Sequence, residues 1–205
     1  MSLWRGDRDQ SIRRRTTTKR SLCWDNLESR RLLDGSGKFG DMTVTLKDGI
    51  LTIDGSAKND AVVVAQAPGA DGKFGTDDDV VLLQNQKDKP LFLTGKLKKI
   101  VFHGKDGDDQ FRNDTNVPSV AMGGNGNDQL FGGGSTDVLD GGRGDDIIDG
   151  RGTKAAGKGA QDVVTTGAGK DTVVSDKVNP NGTVPKSADT SVTDLDRAKD
   201  KVKKR

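Results

Sequence analysis

One cysteine, one histidine, one glutamate and no tyrosine stand among 205 residues. A single cysteine excludes an internal disulfide framework and a cysteine-based zinc site, and a single histidine leaves no material for a histidine-rich metal centre or most triad chemistry. No apolar run approaches the ~18 residues of a membrane-spanning helix, so no transmembrane segment is expected. Hydrophobic residues make up only 31% of the chain, with six Phe and two Trp. That argues against a layered core rich in large aromatics, and a thin, repetitive core of Val, Leu and Ile is expected. Against the one glutamate stand thirty aspartates. Both acids serve solubility equally well, but aspartate is short, favours turns and holds its carboxylate close to the backbone. A chain that uses aspartate almost exclusively is using it for geometry.

The net charge of +2 conceals a three-part layout. Residues 1–35 hold nine Lys/Arg and five acids, residues 177–205 hold eight and four, and the stretch between holds 16 and 22. An acidic body between basic ends attracts cations and offers no clustered Lys/Arg to phosphate, so no nucleic-acid partner is expected.

The N-terminal segment, 1–35, carries basic clusters at Arg13, Arg14, Arg15, Lys19 and Arg20, and lacks the apolar stretch of a standard secretory signal. Trp24, Leu27, Arg31, Leu32 and Leu33 fall at roughly helical spacing, which predicts a short helix before Gly35. The run Asn26-Leu27-Glu28-Ser29-Arg30-Arg31-Leu32-Leu33 resembles the LEPR-type sorting segment near the N-termini of surface and exported planctomycete proteins. Ser29 stands where that segment usually has proline. The resemblance implies a sorting or leader segment over 1–35 and a bacterial protein of the cell surface or medium.

From Asp41 to Phe102, short alternating runs (42–46, 50–53, 61–65, 80–84, 91–93 and 97–102) are separated by turn residues such as Lys47-Asp48-Gly49 and Asp54-Gly55-Ser56. These read as short strands of about four to six residues, and the lack of amphipathic helices between them argues against a βαβ fold. Beyond Gly104 a nine-residue period takes over. Three nonapeptides run without a gap from Gly123, Gly132 and Gly141, with Asp128, Asp137 and Asp146 at their sixth positions and Leu130, Leu139 and Ile148 at their eighth. The same phase recurs upstream with Asp109 and Phe111, and downstream with Asp162 and Val164, then Asp171 and Val173. A fainter copy, Gly55 to Val63, carries Asp60 and Val62. An apolar residue at every eighth position is foreign to a disordered Gly/Asp tract.

The pattern G-G-x-G-x-D-x-U-x resembles the RTX, or hemolysin-type, calcium-binding repeat. Glycines at the first, second and fourth positions permit backbone conformations closed to other residues. Such a turn aims carbonyl oxygens at a common centre, and the closing aspartate adds carboxylate oxygens, which suits calcium's need for six to eight oxygen ligands. The resemblance implies an all-β parallel β-roll, a β-solenoid, with two nonapeptides per coil and Ca2+ held between turns stacked on one side. Asp128 then stacks on Asp146, and Gly123, Gly124, Gly126, Asp128, Gly141, Gly142, Gly144 and Asp146 form the best candidate site. Asp109 and Asp137 are candidate ligands of weaker sites. Asp109 precedes Asp128 by one residue more than two nonapeptides, so a bulge is needed within 113–122. Asp137 looks two nonapeptides on to Ala155, and Ser135 stands in its turn where the fourth glycine belongs. The turn of Asp162 has Lys158 and Ala160 in place of glycines, and Lys170 beside Asp171 sets a fixed charge at the end of the stack. One good site and one to three poor ones are expected.

Other signals are weaker. Gly152 to Gly159 nearly spells a P-loop but ends in Gly159 where Ser/Thr would hold magnesium. Asp71 to Asp79 fails the EF-hand pattern at Lys73, Gly75 and Leu82 and reads as a solvated loop. His103 has no visible catalytic partner and reads as a strand-end residue, and Cys23 lacks a lipoprotein cleavage context. The tail from Val178 is rich in Pro, Ser, Thr and Lys, so disorder is expected over 179–205, with at most a frayed helix from Asp194 to Val202. The expectation is a leader (1–35), a β-solenoid (36–178) and a basic tail (179–205), forming a non-catalytic, exported calcium-binding protein that folds or is stabilised on meeting Ca2+. Cell-surface polysaccharide or protein are candidate partners. The rival readings are a polysaccharide-active hydrolase or lyase on a β-helix flank, and a surface adhesin.

Overall fold

The computed structural model describes residues 35–150 and 162–175, with the backbone of two further strands, Thr190–Val192 and Lys201–Lys204. The sorting-type segment and the P-loop-like stretch lie outside the described residues, as does most of the proposed C-terminal helix. Among the described residues there is no helix, and so none long and apolar enough to cross a membrane.

The described chain opens with an antiparallel meander of β1 (Gly35–Phe39), β2 (Met42–Lys47) and β3 (Ile50–Asp54). Asp48 (φ 53°) and Gly49 (φ 84°) make the β2–β3 turn, the two positive φ values that a tight hairpin requires. A second meander joins β4 (Ala61–Ala67), β5 (Val80–Gln84) and β6 (Leu91–Thr94). Thereafter the strands alternate between two sheets: β7 (Lys99–Asp106), β8 (Gln110–Asp114), β9 (Ser119–Asn125), β10 (Gln129–Phe131), β11 (Val138–Arg143), β12 (Ile147–Asp149), β13 (Asp162–Thr165), β14 (Thr172–Ser175), β15 (Thr190–Val192) and β16 (Lys201–Lys204). One sheet runs β1-β2-β3-β7-β9-β11-β13-β15 and the other β16-β14-β12-β10-β8-β4-β5-β6. From β3 and β4 onward each added pair is parallel to the one before, so one strand from each sheet forms a coil of a β-roll. The two antiparallel meanders extend the first coil.

Packing follows the nine-residue register. Val62, Phe111, Leu130, Ile148 and Val173 pair in succession down one sheet, and Ile53, Phe102, Ala121, Leu139 and Val164 down the other. All ten are essentially inaccessible to solvent. The rings of Phe102 and Phe111 stack across the interior with centroids 5.0 Å apart. A three-residue strand with one inward side chain buries little by itself, so each coil depends on its neighbours for a continuous core. That core is bulkiest at the first coil, where Phe39, Met42, Leu46, Leu93 and Leu97 add to it.

The coils differ in length. Asp128 and Asp146, on successive turns, are separated by 18 positions, whereas Asp109 and Asp128 are separated by 19. Thr115 accepts from Gly134 at the longer spacing, whereas Ser119 donates to Asp137 at the shorter. The expected extra residue is therefore accommodated between Thr115 and Ser119. The next coil, from β11 to β13 and from β12 to β14, is longer again, with 25 positions between Asp137 and Asp162 and between Asp146 and Asp171. Asp137 consequently faces Asp162 and not Ala155, because pairing resumes 25 positions on where two nonapeptides would give 18. The C-terminal stretch also departs from expectation: β15 and β16 pair Val192 with Val164 and Val202 with Val173, continuing the register of both sheets within a stretch expected to be a disordered tail with at most a frayed helix.

Candidate metal centre

Among the described residues, each crossing from the first sheet to the second passes through a turn closed by aspartate, and these turns stack along one edge of the roll at residues 55–60, 104–109, 123–128, 141–146 and 166–171. Their closing aspartates form a ladder. The backbone N–H of Asp60 donates to Oδ1 of Asp109 at 2.8 Å, Asp109 to Asp128 at 2.8 Å, Asp128 to Asp146 at 2.7 Å, and Asp146 to Asp171 at 2.9 Å. Each carboxylate from Asp109 onward is thus fixed by the coil before it. All five aspartates are buried.

A second ladder runs beside the first through the fifth positions, in the opposite sense. Asn59 accepts from the N–H of Asp108, Asp108 from Asn127, Asn127 from Asp145, and Asp145 from Lys170, at 2.8 to 3.1 Å. The nonapeptide pattern leaves this position open. Its signal was the recurrence of Asn or Asp at 59, 108, 127 and 145, ending at Lys170.

Oδ1 is engaged at Asp109, Asp128 and Asp146, but the second oxygen is not. Oδ2 of Asp109, Asp128 and Asp146 is buried and has no hydrogen-bond donor. An unsatisfied buried carboxylate oxygen is costly, so such a recurrence suits a partner of positive charge. Burial pushes the carboxyl of Asp109 up to about 7 and that of Asp146 likewise, and raises that of Asp128. The surroundings of each oxygen repeat too. A side-chain carbon at Gly104 would run into Oδ2 of Asp109 and the carbonyl oxygen of Gly123; at Gly123, into Asp128 Oδ2 and the Gly141 carbonyl; at Gly141, into Asp146 Oδ2 and the Thr166 carbonyl. One carboxylate oxygen and one carbonyl of the next coil therefore converge at each first glycine. Among the described residues no group of three His, Cys, Asp or Glu side chains converges on a metal position. The donor set is one carboxylate per turn with backbone carbonyls, which suits a hard cation of flexible geometry such as calcium and not a transition metal.

Not all the turns are open in this way. In the open ones the second and fourth residues have positive φ: Lys105 and Gly107 (84° and 112°), Gly124 and Gly126 (115° and 130°), Gly142 and Gly144 (99° and 130°). In turn 55–60 the second residue, Ser56, donates its N–H to Asp60 Oδ2 at 2.6 Å. On the opposite edge, in turn 132–137, Gly133 donates to Asp137 Oδ2 at 2.7 Å. Asp137 Oδ1 accepts from both the N–H and the hydroxyl of Ser119, at 2.7 and 2.6 Å. Both closed turns lack glycine at the fourth position, having Lys58 and Ser135 there.

The structure thus brings Gly123, Gly124, Gly126 and Asp128 against Gly141, Gly142, Gly144 and Asp146, adds Asp109 to the same edge, and sets Asp137 on the other. The loop 71–79 is closed by its own bonds, with Asp79 Oδ2 accepting from Gln66 and Gly75. His103 lies within β7, its Nδ1 2.7 Å from Oδ1 of Asp54 on the adjacent strand.

Residues 120–152 match the family model described as "RTX calcium-binding nonapeptide repeat (4 copies)". No curated protein and no solved structure matches the chain. The matched stretch contains the stacked turns of Asp128 and Asp146, and calcium is the ion that these repeats bind.

Proposed function

We propose that the chain is a non-catalytic calcium-binding β-roll of the bacterial cell surface or medium, stabilised when Ca2+ enters its open turns. The observation that carries this reading is the open Oδ2 of Asp109, Asp128 and Asp146, each beside a carbonyl of the following coil. In the central site Gly123, Gly124, Gly126 and Asp128 hold the ion with Gly141, Gly142, Gly144 and Asp146; Asp109 belongs to the site above. Asp137, with both oxygens bonded, serves the fold. One carboxylate per turn gives modest affinity, in keeping with extracellular modules that work at roughly 10⁻⁴ to 10⁻³ M calcium. The basic segment over 1–35, with its Leu27-Glu28 and Arg30-Arg31, supports export. Polysaccharide or protein at the cell surface is the partner class in keeping with that location.

Calorimetric titration of the full chain with calcium, with magnesium as control, tests the binding. Saturable heat with calcium and little with magnesium is expected, since magnesium demands near-octahedral geometry and retains its waters. A flat calcium titration would remove the reading. Export is tested separately by fusing a reporter after Gly35, and its retention in the cytoplasm would confine the proposal to calcium binding.

A further inference from the structure

The two meanders shape a cavity at the head of the roll that ion binding does not use. The β1–β2 turn at Gly40 and Asp41 and the β5–β6 connection from Asn85 to Asp88 both lie at the edge of the stacked turns. They meet there, since a side-chain carbon at Gly40 would run into Oδ2 of Asp88. With the outer surface of the first three coils they border a cavity of about 460 Å³. The connection is braced from within. Asn85 Oδ1 accepts from the N–H groups of Lys87 and Asp88 at 3.0 and 2.6 Å, and its Nδ2 donates to Asp88 Oδ2 at 2.6 Å. The wall of the cavity is therefore preformed, which lowers the cost of ordering it around a ligand.

The floor consists of two rows that flank the closing aspartates. Asn59, Asp108 and Asn127 precede Asp60, Asp109 and Asp128, and Ala61, Gln110 and Gln129 follow them, paired in register. In the first row each Oδ1 accepts an N–H of the next coil, which leaves Nδ2 of Asn59 and Asn127 as donors and Oδ2 of Asp108 as an acceptor. Gln110 and Gln129 add amides that both donate and accept. Neighbouring strands lie about 4.8 Å apart, so these groups recur at about the length of one sugar ring. The lining excludes other ligand classes. Met42 and Ala61 are its apolar side chains, too little for a lipid or an aromatic ligand, and Asp41, Asp88 and Asp108 against Lys87 repel an anion. Its amides, at 59, 85, 86, 110, 127 and 129, outnumber those charges. A hydroxyl group, which donates and accepts at once, matches such a surface.

We propose that this cavity binds a neutral saccharide, its hydroxyls held along the two rows, and that calcium governs the binding. The proposal gives the saccharide partner a place on the molecule, and for its calcium dependence it rests on the calcium reading of the turns. Asp108 and Gln110 flank Asp109, and Asn127 and Gln129 flank Asp128, so an ion seated on those turns fixes half of the floor. The wall and the first rung belong to the coil whose turn is closed by protein alone, through the Ser56 N–H on Asp60. Calcium thus completes a site that the meanders begin, and by reciprocity the saccharide tightens calcium.

An array of neutral, amino-bearing and acidic glycans, with polylysine as a basic-peptide probe, tests this with the full chain in calcium and in chelator. Retention on neutral glycans in calcium is expected, weakened about tenfold in chelator. Gln110→Ala combined with Gln129→Ala should lower the affinity about tenfold. Calcium titration and melting of that variant in calcium should match the parent chain, because neither side chain belongs to the ladders or to the ion-holding turns. Three results would each overturn the site: no neutral glycan retained, retention of acidic or amino-bearing glycans or polylysine in its place, or a double variant that binds as the parent does. Equal retention in calcium and in chelator would overturn the calcium dependence. Failure of the calcium reading has its own signature, identical melts of the parent protein in calcium and in chelator.

Discussion

Turns 104–109, 123–128 and 141–146 on one edge of the roll and turn 132–137 on the other share the nonapeptide spacing and treat their aspartates in opposite ways. On the edge of turns 104–109, 123–128 and 141–146, each closing aspartate gives one oxygen to the preceding coil and keeps the other open. On the other edge, Asp137 gives one oxygen to Ser119 and the other to Gly133. Asp128 and Asp137 are both buried, and both are pushed above the usual carboxylate range by that burial. The difference lies in the backbone between the first glycine and the aspartate. Gly126, at φ 130°, and Gly144, at the same value, sit where Ser135 stands on the other edge. An aspartate at the sixth position is thus a ligand candidate only when the fourth residue lets its turn open.

The comparison can be broken first at Asp137. Asp137→Ala leaves the Ser119 hydroxyl and two buried N–H groups without an acceptor, and should cost about 3 kcal/mol. In urea denaturation the loss should be the same in calcium and in chelator, which marks a structural aspartate. Gly126→Ala attacks the open edge. Its φ of 130° is closed to alanine, and the new carbon would meet the carbonyl of Gly107. A loss of about 2 kcal/mol is expected, together with a reduced calcium stoichiometry by calorimetry.

A pH series sharpens the comparison. Asp109 and Asp146, pushed up to about 7 by burial, bind protons in the folded chain at pH values where an unfolded aspartate, of pKa about 3.9, has lost its own. The metal-free fold therefore loses stability as pH rises from about 4 to about 7. In chelator the melting temperature should be higher at about pH 5 than at about pH 8. Calcium competes with those protons, so its stabilising effect should be larger at the higher pH. The smallest effect is expected at the fifth-position ladder. Asn127→Ala removes one acceptor for the Asp145 N–H and should cost about 1 kcal/mol with or without calcium, read by the same denaturation series.

Much of the roll was legible from the eighth positions, because a period of nine with one apolar residue per repeat admits few packings. Phe111, Leu130, Ile148 and Val173 fall in one inward column as that period requires. The stacking of the Asp128 turn on the Asp146 turn was legible for the same reason. The partner of Asp137 was not, since a two-nonapeptide period does not reveal where pairing resumes once the spacing lengthens to 25 positions. The C-terminal strands were hidden by composition: Thr-Ser-Val and Lys-Val-Lys-Lys carry one apolar residue each, too little to register without the sheets they extend. The closing of turns 55–60 and 132–137 depends on which way an N–H points, which Ser135 and Lys58 hint at only through the missing glycine.

The central claim, that calcium belongs to one edge alone, is tested most directly by titrating Asp128→Asn and Asp137→Asn with calcium in the calorimeter. Each substitution preserves size and removes one carboxylate charge. The account predicts that Asp128→Asn weakens calcium binding about tenfold or more, with Asp137→Asn within about twofold of the parent chain. Equal losses in the two variants would contradict it.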